Sequence, residues 1–161
     1  RVAILDYGVM QQCATPGELY RHPANLFVAG FIGSPAMNII PTTVEGDAVV
    51  FGSMRLPMDP AVAAAVGDSS GEDLKLGIRP QGLALGTEGV PTEVVVVEEL
   101  GSETFVFADI EHLGETIRIR IRVDADYAVA RGDTTRVGVV GPVHLFGPDG
   151  SRFRTSGELE S

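Results

Sequence analysis

Apolar positions in this chain come in short runs divided by turn chemistry, with two helical signals near the start. Arg1-Val2-Ala3-Ile4-Leu5 is apolar enough for a buried strand. Asp6-Tyr7-Gly8 predicts a hairpin turn back into a second strand, Val9-Met10-Gln11-Gln12. In Thr15-Pro16-Gly17-Glu18 a threonine cap, a proline at the first helical position and a glutamate three residues past the cap make a capping box, so a short helix follows through Tyr20. Pro23 predicts the opening of a second helix, with Phe27 and Phe31 one turn apart on one face and Gly33-Ser34-Pro35 as its stop. Leu26, Val28 and Ile32 make that helix apolar nearly all round, so it needs surfaces to bury against.

From residue 42 the pattern changes to strands and glycine turns. Strand signals fall at Thr43–Glu45, Ala48–Phe51, Arg55–Leu56, Leu74–Arg79, Thr92–Glu98, Thr104–Ile110, Thr116–Val123 and Thr135–Val140. One helical piece, Ala61–Val66, is capped by Asp59-Pro60 and closed by Gly67; residues 68–73 read as a solvated loop, and Gly147-Pro148-Asp149-Gly150 as a turn. Long crossover helices between strands are missing. The expected fold is therefore mainly β, an OB-like barrel of short antiparallel strands behind a short N-terminal strand and helix remnant.

Composition and charge narrow the function. At 161 residues there is room for one ordinary domain, or a small domain with part of another, and too little for a complete nucleotide-driven motor. The net charge of −10 sits entirely beyond residue 40, since Arg1 and Arg21 balance Asp6 and Glu18. An acidic body repels a phosphate backbone, which argues against nucleic acid and anionic membrane surfaces as partners. With Cys13 as the only cysteine there is no intrachain disulfide and no thiolate metal cage. The longest apolar runs, Ala61–Val66 and Val94–Val97, are far too short for a membrane span, and no secretion leader is expected.

A phosphate-cradling loop needs a lysine between a glycine turn and a helix, and the single lysine, Lys75, stands at a strand entry. His22, His112 and His144 lie far apart outside any ligand-spaced motif and read as surface or helix-end histidines. Arg118, Arg120 and Arg122 alternate with Ile117, Ile119, Ile121 and Val123, so one strand face is basic and the other apolar. That face is either a contact for an anion or acidic partner, or a solvated outer face on which Asp109 stands opposite Arg118 if His112–Glu115 form the hairpin turn. Phe105 and Phe107 share a face and read as core packing, while Glu98-Glu99 and Asp124 with Asp126 read as solvated turns.

The block from Asn25 to Asn38, NLFVAGFIGSPAMN, preceded by Gly17-Glu18-Leu19-Tyr20 and Pro23-Ala24, closely resembles the end of the ATP-binding subunit of carbohydrate ABC importers. Leu76-Gly77-Ile78-Arg79-Pro80 resembles the opening of that family's transport-associated OB segment. Val97–Thr104 and His144-Leu145-Phe146 with Asp149-Gly150 resemble its later blocks, in the family's order. Where the family commonly shows glutamate and histidine after Arg79-Pro80, this chain has Gln81-Gly82.

The resemblance implies that residues 1–33 are the end of a nucleotide-binding domain, 34–41 a linker and 42–161 an OB-like regulatory domain. The family's motor motifs lie upstream of the point matching Arg1, so catalytic, cofactor and metal residues are expected in the intact parent, with ATP and Mg, and none in this piece. Expected partners are a second copy through the regulatory domain, permease subunits through the motor domain and, in some members, a regulatory protein. The intact importer places such a subunit on the cytoplasmic face of the cell membrane. The rival reading is a free-standing module for small oxyanions such as molybdate, with Arg118, Arg120 and Arg122 as its ligands.

Overall fold

Capping chemistry sets the first elements of the computed structural model, which describes residues 1–67 and 73–159. All but Asp73 of the loop expected over 68–73 lies outside the described residues. Strands β1 (Val2–Asp6) and β2 (Val9–Ala14) pair antiparallel around Tyr7 and Gly8, at φ of 45° and 83°. Helix α1 (Pro16–Arg21) starts on the expected capping box, Thr15 Oγ1 accepting from the Glu18 N–H at 3.3 Å and Glu18 Oε2 from the Thr15 N–H at 2.8 Å. Helix α2 (Leu26–Phe31) begins later than Pro23 suggests. Asn25 caps it, with Oδ1 accepting from the Val28 N–H at 3.0 Å, and the carbonyls of Pro23 and Ala24 are instead used by Arg152.

The chain then runs through β3 (Asn38–Pro41), β4 (Val44–Glu45), β5 (Ala48–Phe51), β6 (Met54–Pro57), α3 (Pro60–Gly67) and β7 (Lys75–Ile78). A 3₁₀ turn (Pro80–Gly82) leads into β8 (Leu83–Gly86), β9 (Val90–Glu99), β10 (Glu103–His112), β11 (Glu115–Asp124), β12 (Thr134–Val139), β13 (Val143–Phe146) and α4 (Ser156–Leu159). The strand β3 falls inside the stretch 34–41 read from the sequence as a linker. Strands β8 and β13 and helix α4 have no counterpart among the elements expected from the sequence.

The described residues form two compact units, each drawn from separated parts of the chain. The first takes residues 1–49, 57–77 and 144–161. Here α2 meets the demand of its apolar girth by facing two clusters: Val28 packs with Ile4 and Leu19, and Ala29 with Met37 and Phe146. Phe27 and Phe31 point away from both, their rings stacked at 5.9 Å. Besides the β1–β2 pair, a three-stranded sheet in this unit has the order β13-β7-β3.

The second unit, residues 50–56 and 78–143, is a five-stranded antiparallel sheet in the order β11-β10-β9-β12-β8. It curls until β11 packs against β8 and the 3₁₀ turn, so the two edges meet as in a small barrel. Val106, Ala108 and Ile110 of β10 and Ile119 and Ile121 of β11 fill the inside. A bulge at β9 pairs Phe107 with Val96 and Ala108 with Val94. It resets the alternation so that Val94 and Val97 both face inward although three residues apart.

Glycines allow the closest approaches. A Cβ at Gly141 would lie 2.7 Å from the Gly82 Cα, and one at Gly89, where φ is +109°, would lie 2.1 Å from the Val137 carbonyl oxygen. Gly89→Ala is expected to lose about 2 kcal/mol or more, from backbone strain and steric overlap together. Urea unfolding should show a lower midpoint at an unchanged slope.

Candidate functional site

The basic face depends on the β10–β11 hairpin. Leu113 and Gly114 make a two-residue loop at φ of 50° and 84°, the backbone hand that matches strand twist. The register that follows sets Asp109 opposite Arg118, Phe107 opposite Arg120 and Phe105 opposite Arg122. The structure thus brings the three arginines together on one face, as the alternation predicts.

Each guanidinium meets a group of the neighbouring strand. Arg118 forms a fork on Asp109, Nε to Oδ1 at 2.8 Å and Nη2 to Oδ2 at 3.1 Å, and this contact holds the Asp109 carboxyl below its usual range. Arg122 Nε reaches Glu103 Oε2 at 2.8 Å. The Arg120 guanidinium carbon stands 6.0 Å from the centre of the Phe107 ring, within cation–π range. An incoming anion would have to displace the Asp109 and Glu103 carboxylates. Phe105 is buried and Phe107 half-buried, but both lie on the arginine face, opposite the face of Val106, Ala108 and Ile110. Phe107 is therefore a support for Arg120 rather than an interior side chain.

Two histidines differ from the surface reading. His112 is buried, and its Nδ1 accepts the Gly52 N–H at 2.9 Å, so the neutral ring carries its proton on Nε2. It shares the inward parity of Val106, Ala108 and Ile110, which was the available signal. His144 lies in β13 with its ring tilted on Phe146. His22, by contrast, caps the end of α1 as expected, with Nδ1 2.9 Å from Glu158 Oε1. Glu98 and Glu99 are exposed on β9, and Asp124 of β11 pairs in register with Glu103 of β10. Among the described residues no three His, Cys, Asp or Glu side chains are grouped as metal ligands.

The first unit holds a cleft of about 880 Å³ lined by Gln12, Cys13, His22, Arg152, Arg154 and Glu158, among others. Sequence reasoning missed it because the tail that walls it has neither a motif nor a long apolar run. Arg152 grips Glu158 and, with Thr155, holds that carboxyl far below the usual carboxylate range.

The family model described as the MalK OB fold domain matches residues 33–83. The sn-glycerol-3-phosphate import ATP-binding protein UgpC of Bordetella pertussis is 34% identical over 154 residues, covering 94% of this chain and 42% of that protein. The diacetylchitobiose uptake system ATP-binding protein MsiK of Streptomyces coelicolor is 34% identical, over 91% of this chain and 43% of the relative. An uncharacterized ABC transporter ATP-binding protein of Sinorhizobium fredii, y4oS, is 39% identical, over 92% and 39%. Over more than nine tenths of its length this chain is similar to part of the ATP-binding subunits of ABC importers. The mostly antiparallel β-sheets of the chain are consistent with an OB-fold domain, and the matched residues 33–83 fall mainly in the first unit. The chain spans about two fifths of the length of these curated relatives, at 42% for the first.

His112→Leu removes the acceptor of the half-buried Gly52 N–H, and a loss of about 1 kcal/mol is expected, with faster amide exchange at Gly52 as the local signature. Glu158 yields a pH dependence. Because its carboxyl is depressed in the folded state, its contribution is complete above the ordinary value of 4.5 and is lost as pH falls below it. Stability of the wild type should decline on acidification from pH 5, and Glu158→Gln should flatten that decline in parallel urea titrations.

Proposed function

We propose that this chain is the regulatory and dimer-holding part of an importer ATPase. In this reading residues 1–33 close the nucleotide-binding domain, 34–41 link, and 42–161 are the OB-like regulatory domain. The observation that carries it is the match of residues 33–83 to the MalK OB fold domain, joined to relatives named as import ATP-binding proteins over more than nine tenths of this chain.

The nucleotide machinery then belongs to the part of the relatives that this chain does not span. Lys75 sits in β7 rather than between a glycine loop and a helix, so it is not placed to cradle phosphates in that way. ATP with Mg, hydrolysis and its coupling to sugar uptake are assigned to the intact polypeptide, working with permease subunits at the cytoplasmic face of the membrane. The regulatory part contributes proximity. By holding two copies together it keeps two motor halves at high local concentration while nucleotide opens and closes them. The net charge of −10 disfavours nucleic acid as a partner. No helix among the described residues is long and apolar enough to cross a membrane.

Arg118, Arg120 and Arg122 fit a contact in which an acidic surface of a partner protein exchanges places with Asp109 and Glu103. The oxyanion module is less favoured, because those two carboxylates already occupy two of its three ligands. Light scattering of the purified chain at rising concentration should show a dimer forming, and a strict monomer at the highest concentration would count against the reading. Calorimetric titration with molybdate, tungstate and sulfate should be silent, and a saturable heat would favour the rival.

A further inference from the structure

Arg152 and Glu158 stand in the tail beyond β13, in a stretch that neither the sequence patterns nor the proposed function uses. The Arg152 side chain is only 6% exposed and that of Glu158 19%. Arg152 holds Glu158 through both terminal nitrogens, with Nη1 donating to Oε2 at 2.8 Å, while its Nε donates to the Pro23 carbonyl at 2.7 Å. Thr155 fills the same carboxylate from its N–H at 3.0 Å and its Oγ1 at 2.9 Å, and His22 meets it from the end of α1. The backbone follows the side chains. Arg152 N–H donates to the Ala24 carbonyl at 3.0 Å, and Leu26 N–H donates to the Gly150 carbonyl at 2.9 Å. A second anchor lies further on, where Asp59 Oδ1 accepts from the N–H and Oγ of Ser156 at 2.9 and 2.8 Å, while also capping α3 through the Ala61 N–H at 2.9 Å.

We propose that the tail is a strap that locks the α1–α2 junction to β13, with the Arg152–Glu158 pair as its buckle. A desolvated ion pair with its remaining hydrogen bonds satisfied is a two-state joint. Removing either partner leaves a buried charge uncompensated, so half-seated arrangements are disfavoured and the strap is either on or off. The partners also come from far along the chain: Pro23 and Ala24 precede α2, whereas Arg152 and Glu158 follow the last strand. A displacement of α1 or α2 therefore reaches the end of the chain directly, without passing through the residues between. On the reading that residues 1–33 end a motor domain, the strap makes those helices and the tail move as one body, and its release uncouples them.

Hydrogen exchange of the whole chain, read by mass spectrometry, tests the strap. Glu158→Gln keeps the shape and removes the charge, and the amides of Leu26, Arg152 and Phe153 should then exchange about tenfold faster or more. Those of Val106 and Ile119 should stay within about twofold of wild type. Thr155→Val, which removes one side-chain donor and spares the ion pair, should give a smaller increase at the same amides. Unchanged protection at Leu26 in Glu158→Gln would overturn the proposal, and so would uniform acceleration at every amide, which reports global instability. The exchange pattern does not depend on self-association, so a strict monomer by light scattering would count against the dimer-holding reading and leave the strap standing.

Discussion

The register of the β10–β11 hairpin is the constraint on which the second unit depends. Side chains alternate along a strand, so a slip of one residue would send Arg118, Arg120 and Arg122 inward and Ile119 and Ile121 into water. Burying three guanidinium groups among Val106, Ala108 and Ile110 has no compensation, which excludes the slipped pairing. Leu113 accepts the left-handed backbone that glycine would adopt more easily, because a two-residue turn is what holds this pairing. From that register follow the inside of the curled sheet, the approach of β11 to β8 and the placing of His112 beneath Gly52.

The same constraint explains the chemistry of the outer face. Arg118 and Arg122 of β11 hold Asp109 and Glu103 of β10 while Arg120 lies over Phe107, so two of the three arginines are already paired and no open anion cradle is left. What remains is the excess of acidic groups elsewhere, a surface suited to protein contact rather than to polyanions.

Local chemistry was legible in the sequence wherever one residue acts on its neighbours. Thr15 and Glu18 announced α1, and the alternation of β11 announced its two faces. Where a distant residue decides, the sequence was silent. The run Val94–Val97 cannot say where its bulge falls, because four like residues carry no phase; Phe107 sets it from the next strand. Pro23 failed to open α2 because Arg152 takes its carbonyl from more than a hundred residues away. The residues of β8 are all apolar or glycine and carry no phase, and the shift in charge near residue 40 does not coincide with a boundary of the compact units, which are assembled from separated segments. The cleft and the strap were hidden for the same reason, since Arg152 and Glu158 mean nothing until the tail returns to His22.

The central claim is that this chain organises an engine carried elsewhere on the same polypeptide. The mass of the natural product, measured intact from the cells that make it, tests this most directly. The account predicts a species more than twice the 17.0 kDa of this chain. A natural product of 17.0 kDa would contradict it.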